Sequence, residues 1–176
     1  FATLCPNLLF RYVFILDFNY TASTRLILKQ CGLSDEDIDN RLIKVHGEAS
    51  NNDIIFGVED NAGIKKEHVF LRKAYNIKYK ALNFSELYDR IKSVAIFGHS
   101  LGETDHTYFN KLFQESCMYN KFSTNNNKEF WLFYYKENGY HCMMQQLDSL
   151  THNSLTSFRQ YNRVNFINTD KEKVFI

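Results

Sequence analysis

Apolar positions along the chain gather in short runs set apart by polar turns. Tyr12–Phe18 is rich in β-branched and aromatic residues and does not alternate with polar ones, the pattern of a strand covered on both faces by helices. Arg41–His46, Asp53–Gly57, Val94–Phe97, Phe130–Tyr135 and Val164–Ile167 repeat the motif, with Val94–Phe97 read as a further buried strand. Between them the period changes to that of helices. Thr21 or Ser23 can cap a helix reaching about Cys31, with Leu26, Ile27 and Leu28 on its buried side and Gly32 as the stop. Ser34 followed by Asp37 is a helix-start box, and the acidic Asp35–Asp39 stretch suits the positive end of a helix.

Lys65–Arg90 is helix-compatible, with a break near Asn83-Phe84-Ser85. Thr104–Met118 carries Phe109, Phe113 and Cys117 at i+4 steps beside Tyr108 and Leu112, the stripe of an amphipathic helix. Asn138-Gly139 reads as a turn and His141–Leu150 as a helix. Strands alternating with helices imply an α/β domain over 1–176 with a mostly parallel, Rossmann-like sheet flanked by helices. In such sheets ligands bind beyond the carboxyl ends of the strands. Three polar clusters fall at such ends: Asn19-Tyr20-Thr21, His46-Gly47-Glu48 and Gly98-His99-Ser100.

Charge narrows the partners. The 176 residues hold 21 basic and 20 acidic side chains, a net of +1, too little field to hold a polyanion. Nucleic acid is therefore not the expected partner. No apolar run reaches the ~20 residues of a membrane span. Cys5, Cys31, Cys117 and Cys142 are scattered without zinc spacing and read as free thiols in a reducing cytoplasm, with Cys31 and Cys117 buried among apolar neighbours. His99 and His106 flank Asp105 but lack a third ligand at helical spacing, so no metal is expected. The aromatics near Tyr134 and Tyr135 offer a surface for homo-oligomer formation, although core packing accounts for them more simply.

Together, Gly-lined backbone, an amide and an imidazole at strand ends suit a nucleotide. Main-chain N–H groups cradle phosphate or ribose oxygens, and an imidazole moves a proton near neutral pH. Phe18-Asn19-Tyr20-Thr21, Val45-His46-Gly47, Ile55-Phe56-Gly57 and Phe97-Gly98-His99-Ser100-Leu101-Gly102-Glu103-Thr104-Asp105 occur in an order that resembles the phage abortive-infection AbiH family. That family is in turn similar to SIR2-like, NAD-consuming domains. The likeness spans about 13–113.

The resemblance implies defence against phage and NAD as the substrate, cleaved between nicotinamide and ribose. By the same resemblance, Asn19 orients a water and the ribose, and His46 acts as base. Tyr20, Thr21, Gly98, His99, Ser100 and Asp105 are then the residues that contact the dinucleotide. One feature departs from the family: its opening Gly-Asn-Gly-Phe-Asp loop has no counterpart, since the first glycine here is Gly32. The chain is accordingly expected to be the carboxyl-terminal part of a larger protein. Without a four-cysteine zinc module, a sirtuin deacylase is disfavoured.

Two alternatives use the same residues. Gly98–Gly102 satisfies G-x-S-x-G after a strand, with Ser100 as nucleophile and Asp148 and His152 as partners. Those partners stand only four positions apart, and a serine hydrolase leaves Asn19 and His46 unexplained. The other alternative is a non-catalytic domain that binds a nucleotide or a protein.

Overall fold

The computed structural model describes residues 13–58, 62–76, 91–118 and 127–171. These belong to two compact α/β units, Phe1–Lys80 and Ala81–Ile176, each with its own parallel sheet.

In the first unit, β1 (Ile15–Asp17) leads through α1 (Ser23–Gln30) and α2 (Asp35–Asp39) into β2 (Leu42–Lys44). The two strands run parallel, with Ile15, Leu16 and Asp17 opposite Leu42, Ile43 and Lys44. Gly32 ends α1 at φ +88°. Its N–H donates to Lys29 O at 2.9 Å and that of Leu33 to Leu28 O at 3.1 Å, a Schellman closure that glycine permits. Ser34 caps α2 by accepting the Asp37 amide at 3.1 Å.

Leu28, Ile38, Val45 and Ile55 form the apolar centre. Leu26 and Ile27 do not join it; they are 60% and 58% exposed. Three consecutive helical residues sweep about 200°, so they cannot share one buried side. Asp53–Gly57 forms no strand. Its backbone is instead held by the Ile55 amide on His46 O at 2.9 Å, and among the described residues the ladder contact nearby is the isolated Val58–Arg72 bridge. In place of an α-helix after Lys65 there are two 3-10 turns, Lys66–Leu71 and Lys73–Tyr75. The expected break near Asn83 lies outside the described residues.

In the second unit, β3 (Ser93–Ile96), α3 (His106–Ser116), β4 (Glu129–Tyr134), α4 (Lys136–Leu150), α5 (Leu155–Tyr161) and β5 (Arg163–Asn168) follow in order. The sheet order is β3-β4-β5, and both pairings are parallel. Phe113 of α3, Phe130 of β4 and Phe158 of α5 are fully buried. Their ring centroids stand 4.8 to 5.5 Å apart, so one aromatic triad ties both crossovers to the central strand.

Two sequence expectations change here. β3 is an edge strand with Ser93 and Ala95 exposed, so only part of it is buried. Asn138-Gly139 does not turn the chain; it lies in the first turn of α4, where the long apolar run to Met143, Leu147 and Leu150 outweighs a local turn preference. α5 has no counterpart in the sequence reading.

Cys31 and Cys142 are exposed and Cys117 is half-buried; all three are free thiols. The burial expected of Cys31 fails because it stands one residue past the helix, at the C-cap. Cys5 lies outside the described residues. Among the described residues no helix is long and apolar enough to cross a membrane.

Candidate functional site

Parallel pairing sends the carboxyl ends of β1 and β2 to the same edge, so the residues after Asp17 and after Lys44 meet. The register sets Asp17 directly opposite Lys44. Their side chains are 3% and 16% exposed and form an ion pair, with Nζ 2.8 Å from Asp17 Oδ2. The same ammonium donates to the carbonyls of Asn19 at 2.5 Å and Thr21 at 2.6 Å. Asp17 Oδ1 accepts the Asn19 amide at 2.9 Å. Burial alone would raise the Asp17 carboxyl. The bonds from Lys44, the Asn19 amide and Thr24 outweigh it and hold the group below its ordinary range.

From this base the chain presents the expected residues. Asn19 and Thr21 are exposed, and Tyr20 is 38% exposed. His46 is buried at 6% exposure, with the Phe18 ring edge-on at 5.6 Å and the Tyr20 ring tilted over it at 6.0 Å. Phe56, 72% exposed, continues the row 5.7 Å beyond Tyr20. Gly47, next to His46, has φ +75°, and a Cβ there would stand 2.1 Å from the Asp53 carbonyl. That close approach brings the Asp53 carboxylate onto the Glu48 amide at 2.6 Å.

The second cluster lies in the other unit, in the turn after β3. Gly98 takes φ +65° with open space around its Cβ position, so the backbone angle alone calls for glycine. Ser100 is exposed and Leu101 is fully buried at φ +56°. His99 Nδ1 accepts the Leu101 amide at 2.9 Å, which places the proton on Nε2, 3.2 Å from Asp105 Oδ2. Asp105 occupies the N-cap position of α3, yet its carboxylate makes no cap bond. His106 Nε2 meets Leu101 O at 3.0 Å and Gln146 Oε1 at 2.8 Å.

Geometry weighs against Ser100 as a nucleophile. A nucleophile elbow strains the serine itself and starts a helix there, but the positive φ belongs to Leu101 and α3 begins at His106. His152 Nε2 meets Gln114 Nε2 at 3.0 Å, so its neighbour is an amide. The Cys117 thiol, pushed up by burial, donates to Phe113 O at 3.2 Å and is no nucleophile either. Among the described residues no three His, Cys, Asp or Glu side chains are grouped to hold a metal.

The structure thus groups Asn19, Tyr20, Thr21 and His46 at one sheet edge, and Gly98, His99, Ser100 and Asp105 in one turn. Sequence reasoning missed Asp17, Lys44 and Phe56. For the two charged residues the signal was present: Asp17 and Lys44 each stand between apolar neighbours inside a strand run, and charges are rarely buried unless paired. A family model described as Bacteriophage abortive infection AbiH matches residues 5–135. No curated protein and no solved structure matches the chain.

Proposed function

Because the chain belongs to the bacteriophage abortive infection AbiH family, and so to phage defence, we propose that it hydrolyses NAD between nicotinamide and ribose during infection. One arrangement supports this reading above the others: Asn19 and His46 at the ends of neighbouring parallel strands, joined by the Tyr20 ring 6.0 Å from the imidazole. In the reaction the C1′–N bond breaks and its electron pair goes to the nicotinamide ring nitrogen, which thereby loses its positive charge. A water held by the Asn19 amide bonds to C1′, and its proton passes to His46. The transition state has oxocarbenium character, so placement of water and acceptance of one proton suffice.

Tyr20 lies beside the imidazole, its ring centroid 6.0 Å away. Tyr20 and Thr21, in the turn after β1, are assigned to nucleotide contact. In the other unit, His99 has Nδ1 on the Leu101 amide and Nε2 facing Asp105, which suits a fixed turn better than a base.

The test is nicotinamide release from NAD by the full-length protein. His46→Ala abolishes release and leaves the unfolding temperature within a few degrees of wild type. Full turnover in that variant refutes the mechanism. A second reading, a non-catalytic nucleotide- or protein-binding domain, draws support from the burial of His46 under Phe18 and Tyr20. It requires no nicotinamide release, and phage protection that survives His46→Ala.

A further inference from the structure

We propose that Lys44 is a positioning residue: its ammonium fixes the turn that presents Asn19 and Tyr20, an inference that rests on the NAD reading above. An ammonium has three protons to place, and here each has an acceptor, Asp17 Oδ2 at 2.8 Å, Asn19 O at 2.5 Å and Thr21 O at 2.6 Å. Glu48 Oε2, 3.9 Å away, adds a second negative charge. An ion pair that only joined two strands would need the first of these contacts. The other two reach past the ladder into the turn.

The intervening carbonyl is held as well, since Tyr20 O accepts the Ala49 amide at 2.8 Å. Three successive carbonyls, those of residues 19, 20 and 21, are therefore bound from the β2 side. The Asn19 amide is bound from Asp17. That fixes the peptide planes on both sides of Tyr20 and so the direction in which its ring leaves the chain, toward His46 and Phe56. With its protons committed, Lys44 acts through these residues and does not itself touch substrate.

Lys44→Met alone is a poor test, because it strands the buried Asp17 carboxylate and destabilises the unit. Asp17→Asn/Lys44→Met removes both charges together and keeps the two turn carbonyls without their donor. It is compared with Lys44→Arg, which keeps a multi-proton donor, and with wild type. In the full chain the double variant is expected to unfold within a few degrees of wild type. Its peptide over residues 18–22 should exchange amide hydrogens on the order of tenfold faster, and kcat for nicotinamide release should fall about tenfold or more while KM changes less than about threefold. Lys44→Arg should recover most of the lost kcat.

Wild-type exchange and kcat in the double variant would overturn the proposal and leave Lys44 as half of an ordinary ion pair. Wild-type protein that releases no nicotinamide would instead refute the NAD reading. Lys44 is then judged by exchange in the turn together with phage protection: faster exchange with lost protection supports it, and no change in either overturns it.

Discussion

His99 and Asp105 close the turn after β3 upon itself: Nε2 stands 3.2 Å from Asp105 Oδ2 while Nδ1 of the same ring takes the Leu101 amide at 2.9 Å. An imidazole engaged at both nitrogens has no lone pair to offer a serine. Asp105→Ala is expected to cost about 1–2 kcal/mol, the worth of one partly buried charge-assisted bond, measured by urea unfolding. In the same protein and in wild type, a phosphonate probe should leave Ser100 unlabelled. Covalent labelling of Ser100 would restore the hydrolase reading.

Asp17 makes stability depend on acid. Its folded-state carboxyl lies below the ordinary range, so its contribution is complete above about pH 4 and is lost as pH falls through the lower folded value. Asp17→Asn lacks that contribution. The stability gap between wild type and variant should therefore narrow as urea melts are moved from pH 7 toward pH 3. A gap independent of pH would mean that Asp17 is not held ionised by Lys44.

Gly47→Ala places a methyl group 2.1 Å from a backbone carbonyl at φ +75°. Both the contact and the angle oppose it, and the expected loss is about 2 kcal/mol or more. Circular-dichroism melts give the cost. Gly98→Ala meets no atoms and should lose only the backbone-angle part, about 1 kcal/mol.

Phe158→Ala removes one ring of the buried triad with Phe113 and Phe130. Truncation of a fully buried phenylalanine costs about 3–5 kcal/mol, enough to unfold much of the carboxyl-terminal unit near body temperature. A loss under about 1 kcal/mol would show that α5 is not part of that core.

The fold was legible where one local rule sufficed. β4 and α3 announce themselves by an aromatic run and an i+4 stripe, and Ser34 and Gly32 cap and stop their helices as their chemistry requires. Elements decided by distant partners were not. Asp53–Gly57 has the composition of a strand, but Gly47 and Gly57 hold their carbonyl neighbours so closely that the segment lies in a loop. α5 is only seven residues long with a single fully buried side chain, Phe158, too short a span to establish a period. Asn19, Tyr20 and His46 were legible as strand-end residues. The ammonium beneath them was not, because its role depends on the register of β1 against β2, which no spacing in the sequence reveals.

Many proteins hold a cluster of carbonyl and carboxylate oxygens together by borrowing potassium or sodium from solution. Around residues 17–21 the cation is built into the chain as Lys44, and a tethered charge cannot be diluted or exchanged. The shape of this turn is thereby held by a charge that the chain itself supplies, with no ion drawn from solution.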